Sequence, residues 1–445
     1  MKLIYGISDK PKFGQLVIFA IQQLLAIMAA TLVVPVIVGN SMSSAAALFG
    51  AGVGTLTYVL FTKKRSPVFL GSSFAFIGSM FAAFAGGVSM ALGYVGLILG
   101  AIFAGLVYVV IAIIVKIAGV EWINKLMPAV VIGPTVAIIG LSLAGNAVGD
   151  LQTGTEMANP LICVLCGLVA LFVTILCSTY GKKMARLIPF IIGILAGYAV
   201  SLIFTLIGNA FQIDALKVLS FDAFKALVAD GVNLSTFVAL PDFTFVTAFK
   251  GIGEITPSYV GAIAVAYVPV AFVVFAEHIA DHKNISSIIE KDLLTDPGLS
   301  RTLLGDGIGS MVGAFFGGCP NTTYGESVAC VAITRNASVA TIIAAAIGAI
   351  LVSFISPFIA FVNSIPKCVM GGICMALYGF IAVSGLKMIK NVDLEDNKNL
   401  FVVSVILIAG IGGLSLAFGK VTLTPVAVAL ILGIITNIML SKKRD

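Results

Sequence analysis

Four side chains that can exchange protons lie in one short segment of this sequence: Glu277, His278, Asp281 and His282. The surrounding residues from Val273 onward are apolar. Glu277 and Asp281 are four residues apart, which places both carboxyl groups on one face of a helix. Two nearby carboxylates in a low-dielectric setting cannot both ionise cheaply, so one is expected to hold a proton at neutral pH. This property is the one that a proton-coupling site requires.

The two histidines of the chain both fall in this segment. His282 could relay a proton or simply lie at an interface with water, and the sequence favours neither role. His278 lies off the face shared by Glu277 and Asp281, so packing in the protein core is the simpler interpretation. No HExxH or comparable spacing accompanies these residues, so no metal site is expected.

The composition predicts what surrounds these groups. The 445 residues are 60% hydrophobic and only 10% charged, and the mean hydropathy is +1.13, whereas soluble domains contain about 25% charged residues. The chain is therefore expected to be an all-α polytopic membrane protein in the cell inner membrane, with lipid as its solvent. Its net charge of +6 comes from scattered Lys and Arg residues, so no nucleic-acid partner is expected. No catalytic dyad or diphosphate-binding motif is evident, which argues against an enzyme.

Fourteen apolar runs are candidate membrane spans. They cover residues 15–39, 45–61, 67–84, 93–115, 127–148, 158–179, 187–208, 259–282, 298–317, 322–334, 338–362, 368–386, 400–418 and 423–440. With the N-terminus inside, all but five of the 26 Lys and Arg residues fall in inside segments, the exceptions being Lys217, Lys225, Lys250, Lys367 and Lys420. The positive-inside rule therefore favours fourteen spans with both termini cytoplasmic.

An acidic segment, residues 209–258, is predicted to lie outside and separates seven spans from seven. Because seven is odd, the second half enters the membrane from the opposite side, as inverted-topology repeats do.

The third and tenth spans begin with Gly/Pro-marked stretches at 67–76 and 317–326 that contain polar, cap-forming residues. Interrupted segments at matching places in two halves are the best sequence indication of a transporter binding site. The tenth also carries Glu326, and a carboxylate inside a bilayer is a functional candidate by default.

Four motifs together resemble the bacterial uracil permeases of the nucleobase–ascorbate transporter family. They are GSSFAF at 71–76, AEHI at 276–279, KDLLTDPGL at 291–299 and NTTYGE at 321–326. The likeness runs from about Gln22 to the last span and so covers nearly the whole chain.

The resemblance implies a fold of fourteen spans in two inverted repeats, with spans 3 and 10 each interrupted by a short β-strand. It implies a core domain of spans 1–4 (residues 1–125) and 8–11 (residues 259–366). A gate domain of spans 5–7 with the outside loop (residues 126–258) and spans 12–14 (residues 367–445) would pack against the core and form a homodimer.

The resemblance also implies roles for individual residues. The substrate-binding residues would be Glu277, Glu326, Phe74, Gly325, Tyr324, Ser73 and Ala30. The proton-coupling residues would be Glu277, Asp281 and His282. Uracil offers two N–H donors for carboxylates and two carbonyl acceptors for backbone N–H groups at helix starts, and its flat ring favours an aromatic wall.

The implied activity is import of uracil with a proton by alternating access, with membrane lipid as surroundings and no cofactor beyond the coupling proton. Some uracil permeases have His where this sequence has Asp281, so the proton role falls to Asp281 or His282. After Glu326, the usual Asn and Gly are replaced by Ser327 and Ala329. A purine or xanthine permease of the same family is the main alternative. An anion carrier of the same architecture fits the two glutamates less well. An intramembrane enzyme would need a catalytic dyad, a diphosphate motif or a metal ligand set, and none is evident. A passive channel is also conceivable.

Overall fold

The computed structural model describes residues 3–119, 128–182, 184–229, 231–418 and 421–441. The described residues are mostly helical. The α-helices, numbered α1 to α20 in chain order, are Phe13–Val38, Ser44–Phe61, Ile77–Ala83, Met90–Ala118, Ala129–Ser142, Ala144–Leu151, Pro160–Tyr180, Met184–Leu187, Pro189–Ala210, Asp222–Leu227, Leu234–Phe237, Thr244–Gly251, Pro257–Ile289, Leu299–Gly317, Gly325–Thr334, Val339–Val352, Ser356–Ser364, Lys367–Met388, Asn397–Ile411 and Pro425–Ser441. The strands β1 to β4 are Leu70–Ser72, Asn321–Thr323, Leu416–Phe418 and Val421–Leu423.

Several of these helices are suited to a bilayer. Among the described residues, eight helical segments are long and apolar enough to cross a membrane: α1, α2, α4, α5 with α6, α7, α9, α13 and α18. Five shorter apolar helical segments accompany them, including α15 and α16. The chain is thus a helical membrane protein with many apolar helices, while the count of fourteen spans stays a prediction.

Strands β1 and β2 pair antiparallel, although about 250 residues separate them along the chain. Leu70 lies opposite Thr323, and Ser72 lies opposite Asn321. All six residues of the two strands are buried. Each strand leads into a helix start, namely the 3-10 turn Phe74–Phe76 with α3 after β1, and α15 after β2. Pairing satisfies backbone groups that would otherwise lack partners away from water.

Helices α2 and α14 pack unusually closely because glycines line their contact. A Cβ atom on Gly50 would lie 2.3 Å from the carbonyl oxygen of Gly313, and one on Gly54 would lie 2.7 Å from that of Gly309. The Asn321 side chain of β2 reaches between the helices and donates to the Gly50 carbonyl oxygen at 3.1 Å. Small residues at helix contacts are typical of membrane proteins, where close backbone approach supplies the packing energy.

The helices form two sets of neighbours. In one set, α14 packs on α2 and α4, α13 packs on α4, and α16 packs on α1 and α2. In the other, α18 packs on α5 and α7, α9 packs on α7, and α19 packs on α5 and α20. Helix α13 also contacts α5 and α20, so it lies where the two sets meet. The predicted core and gate boundaries remain a prediction, and the one at 125/126 lies outside the described residues.

The connecting segments at the two ends of the helices are also anchored. At one end, Arg65 Nη1 lies 2.5 Å from Asp296 Oδ1 and Lys291 Nζ lies 3.2 Å from Asp296 Oδ2. Hydrogen bonds from Arg65, and then from Lys291, hold the pKa of the Asp296 carboxyl below its usual range. At the other end, the segment after α9 folds back on α17, where Ser356 Oγ donates to the Ser235 carbonyl oxygen at 3.0 Å.

The predicted orientation rests on the positions of Lys and Arg residues, and several of these lie outside the described residues: Lys2, Lys125, Lys183, Lys420, Lys442, Lys443 and Arg444.

Candidate functional site

A cavity of about 450 Å³ lies where the two sets of helices meet. One wall is formed by the helix starts after β1 and β2, and another by the middle of α13. The facing wall comes from α5, α8, α9 and α18. The polar and charged lining residues are Ser178, Arg186, Glu277, Asp281, Thr322, Thr323, Tyr324, Glu326 and Ser384.

Three carboxyl groups meet in this cavity. Glu277 and Asp281 lie on one face of α13, and Glu326 lies in the first turn of α15. Asp281 and Glu326 are close enough to interact electrostatically with Glu277. Thr323 of β2 donates its hydroxyl to Asp281 Oδ2 at 2.8 Å, which fixes that carboxyl group against the strand. Because like charges at close range repel strongly where water is scarce, the group favours retention of at least one proton.

Two helix starts point into the same space. Phe74 opens the 3-10 turn after β1, and Gly325 is the first residue of α15; both line the cavity. The first N–H groups of a helix have no partner within that helix. The cavity therefore offers backbone hydrogen-bond donors at two helix starts. Its carboxylate acceptors come from α13 and, in Glu326, from the first turn of α15 itself.

Aromatic rings shape the cavity walls. The Tyr324 hydroxyl donates to the Ser72 carbonyl oxygen at 2.7 Å, so its ring lies across the paired strands. Gly71 makes room for it, since a Cβ there would lie 2.4 Å from the Tyr324 ring. The Phe74 ring packs edge-on against Tyr378 of α18, with ring centroids 6.1 Å apart. These rings suit a flat ligand.

Three of the predicted site residues lie outside the cavity lining. Ala30 and Ser73 are buried at 2% and 1% exposure, and the Ser73 amide donates to the Pro320 carbonyl oxygen at 2.9 Å. His282 is fully buried, and its Nε2 lies 2.7 Å from the Tyr58 hydroxyl oxygen. The other predicted residues (Glu277, Glu326, Phe74, Gly325, Tyr324 and Asp281) line the cavity.

The structure adds residues that the sequence analysis missed. Asp306 lies within the ninth apolar run and is fully buried, so the rule that singled out Glu277 would also have found it. Thr323 belongs to the NTTYGE motif, but its hydrogen bond to Asp281 could not be inferred because it depends on how the strand crosses α13. Arg186 reaches the cavity from the short helix α8, which a count of apolar residues does not reveal.

No group of three or more His, Cys, Asp or Glu residues in the described part of the chain is placed to hold a metal ion. The seven cysteines are all free thiols, and six of them are buried. The chemistry available in the cavity is therefore that of carboxyl groups, hydroxyl groups, backbone N–H groups and one guanidinium group.

Solved structures share this fold at low sequence identity. The transmembrane domain of the cyanobacterial bicarbonate transporter BicA matches with a TM-score of 0.62 at 13% identity, covering 97% of this chain and all of that domain. The murine anion transporter Slc26a9 in its inward-facing state matches with a TM-score of 0.66 at 10% identity, covering 97% of this chain and 69% of that one. The chain therefore has a membrane transporter fold.

Sequence relatives are much closer. A family profile described as "Permease family" matches residues 14–418. The uracil permease of Bacillus caldolyticus is 38% identical over 443 residues, which cover 99% of this chain and 95% of the relative. The uracil permease of Escherichia coli K12 is 34% identical over 433 residues, which cover 96% and 92%. The chain therefore belongs to this permease family, and the resemblance that its motifs predicted is confirmed.

Proposed function

We propose that this chain imports uracil together with a proton across the cell inner membrane. The observation that carries the proposal is that Glu277 and Glu326 line one cavity together with the helix starts at Phe74 and Gly325. The relatives that cover nearly the whole chain are named uracil permeases, which supports the same substrate.

The cavity supplies complementary groups for a pyrimidine. The carboxylates of Glu277 and Glu326 would accept hydrogen bonds from the two ring N–H groups of uracil. The N–H groups of Phe74 and Gly325 would donate to its carbonyl oxygens, where the positive end of each helix dipole also favours partial negative charge. The Phe74 ring would cover one face of the heterocycle.

Proton coupling would follow from the crowding of carboxyl groups around Glu277. Binding of a proton there would neutralise a charge in the cavity and lower the energy of moving it past the opposite wall. Asp281 is the better second candidate, because it lines the cavity and is held by Thr323, whereas His282 bonds to Tyr58 away from it.

The architecture that we infer is fourteen spans in two inverted repeats, with both termini cytoplasmic. Spans 1–4 and 8–11 would form the core domain, which would move against the gate domain of spans 5–7 and 12–14 in alternating access. Arg186 lines the cavity at the end where the loops are predicted to be cytoplasmic, so the cavity would face inward. Dimerisation would occur through the gate domain.

Uptake into proteoliposomes tests this proposal. Purified protein should accumulate labelled uracil above its equilibrium level when the vesicle exterior is made acidic, and a protonophore should abolish the accumulation. Uptake that only equilibrates, whatever the imposed pH gradient, would indicate a passive channel instead.

A purine or xanthine permease remains the alternative, because Asp281 occurs at this position in purine carriers of the family resembled. Competition decides between them. Unlabelled thymine should reduce uptake of labelled uracil more strongly than unlabelled xanthine does, and the opposite ranking would favour the purine carrier.

A further inference from the structure

A buried polar cluster lies beside the candidate site but outside the cavity lining. His278 of α13 contacts two residues of α14: its Nδ1 lies 2.6 Å from Asp306 Oδ2, and its Nε2 lies 3.0 Å from Thr302 Oγ1. All three side chains are fully buried, at 0% exposure. The cluster therefore connects the helix that carries Glu277 to its neighbour through two polar contacts.

The hydrogen atoms in this cluster can be assigned from the partners. The Thr302 hydroxyl donates to the Leu299 carbonyl oxygen at 3.0 Å, which uses its one hydrogen. We therefore assign the hydrogen at the contact between Thr302 Oγ1 and His278 Nε2 to Nε2. A neutral imidazole carries only one N–H hydrogen, so in that form Nδ1 would be a bare acceptor.

The contact with Asp306 then requires another proton. An ionised carboxylate can only accept, and two bare acceptors would repel each other at the observed 2.6 Å. One proton must lie between Nδ1 and Oδ2, whether it is counted on the imidazole or on the carboxyl group. In either description His278 and Asp306 together carry no net charge, which suits their burial.

His278 and Asp306 lie directly behind the cavity wall that α13 and β2 form. His278 directly follows Glu277 on α13, and the Asp306 carboxyl group lies close to the backbone of Thr323. Asp306 Oδ1 is buried and makes no hydrogen bond of standard geometry to the described residues.

Other titratable groups surround the pair. His282 is stacked on His278 with ring centroids 4.0 Å apart, and the Tyr108 ring of α4 lies at 6.3 Å. Glu277, Asp281 and Tyr58 are close enough to Asp306 to interact electrostatically with it.

We propose that His278 and Asp306 share one permanently retained proton and act as a positioning pair for the face of α13 that carries Glu277 and Asp281. The retained proton is distinct from the transported one, and this distinction rests on the proposed function. The pair itself follows from the hydrogen-bond geometry and does not depend on which substrate is carried.

Nitrogen NMR of the full-length protein in lipid nanodiscs tests the pair directly. The chain has only two histidines, so ¹⁵N-histidine labelling yields two imidazole spin systems, and His282→Gln assigns them. We expect Nε2 of His278 to carry hydrogen from about pH 5.5 to 8.5, a range that brackets the ordinary histidine pKa of about 6.5. The shared proton on Nδ1 should give a strongly downfield resonance. A bare Nε2, or titration of this ring within the range, would overturn the proposal.

Asp306→Asn removes the carboxyl group that shares the proton, so the downfield resonance should disappear. Asp281→Asn is the matched control, because it makes the same chemical change on the cavity side and should leave that resonance in place. Survival of the resonance in Asp306→Asn would contradict the assignment. If Asp306→Asn does not fold, the ¹⁵N NMR measurement on the unsubstituted protein still tests whether Nε2 of His278 carries hydrogen and whether the ring titrates.

Uptake measurements separate the retained proton from the transported one. In Asp306→Asn we expect a raised half-saturation concentration for uracil, with accumulation that still depends on the imposed pH gradient. Loss of that dependence, with downhill uptake retained, would mean that this proton is the coupled one. If the unsubstituted protein transports no uracil at all, the proposed function is wrong. The NMR experiment still tests the shared proton in that case, because it does not depend on transport.

Discussion

At the scale of single residues, the candidate site combines carboxylate acceptors with backbone N–H donors. The cavity places Glu277, Asp281 and Glu326 near one another, and the helix starts at Phe74 and Gly325 line the same cavity. Asp281 has a side-chain partner in Thr323, whereas Glu277 and Glu326 make no hydrogen bond to another side chain in the described part of the chain. This division of partners suggests separate roles for the three acids.

Substitution of the two glutamates tests the division. Glu277→Gln should abolish accumulation of uracil driven by a pH gradient, because an amide cannot take up the coupled proton. Glu326→Gln should mainly weaken binding by roughly 10- to 100-fold, the loss of one charge-assisted hydrogen bond of about 1.5–3 kcal/mol. Both are measured as initial rates and accumulation ratios in proteoliposomes. Uphill uptake retained by Glu277→Gln would exclude this residue as the coupling site.

At the scale of elements, the site depends on how closely α2 and α14 approach. Their glycine-lined contact lets Asn321 reach the Gly50 carbonyl oxygen, which anchors β2 against the helix pair. Strand β2 then carries Thr323 to Asp281, and it sets the point at which α15 begins. A small change in helix spacing would therefore displace the helix start that lines the cavity.

Gly50→Ala should destabilise the protein by about 1–3 kcal/mol, the usual range for overpacking a filled interior. The added methyl group would meet backbone atoms of Gly313, which cannot rotate away. Gly261→Ala on α13 is the matched control, since nothing lies within 4 Å of the added atom. Thermal unfolding in detergent should show a lowered midpoint only for Gly50→Ala, and equal midpoints would contradict the packing argument.

At the scale of the whole molecule, the cavity opens toward one end of the helices. Ser384 and Arg186 line it at the end where most basic loops lie, and the positive-inside rule predicts that this end is cytoplasmic. Ser235 belongs to the segment that folds over α17 at the opposite end and is exposed there. The two serines therefore lie at opposite ends of the helices, and the predicted orientation places them on opposite sides of the membrane.

Cysteine labelling tests this orientation. With a membrane-impermeant maleimide, Ser384→Cys should react in inside-out vesicles and Ser235→Cys in right-side-out vesicles. The unmodified chain gives the background, since six of its seven cysteines are buried. Saturating uracil should slow the reaction at Ser384→Cys and leave Ser235→Cys unchanged. Reaction of Ser384→Cys from the outer side alone would reverse the proposed orientation.

Much of the site was accessible from residue type and spacing. Glu277 and Asp281 share a helix face because they are four residues apart, and both line the cavity. Glu326 was singled out as a carboxylate inside an apolar run and Gly325 through the family resemblance, and the structure brings both to the same cavity. Asp306 was overlooked although the same rule applied to it, whereas Thr323 and Arg186 could not be inferred because their roles arise from contacts between distant segments.

The sequence by itself determined that this chain is helical, lies in a membrane and carries acidic residues within its apolar segments. It could do so because hydropathy and periodicity are local properties. Only the tertiary structure decided which of those acids meet. Glu277 and Glu326 share a cavity because β1 and β2 pair across the chain, while His278 turns away to Asp306. Such contacts join residues tens to hundreds of positions apart, and no local pattern encodes the distance between them.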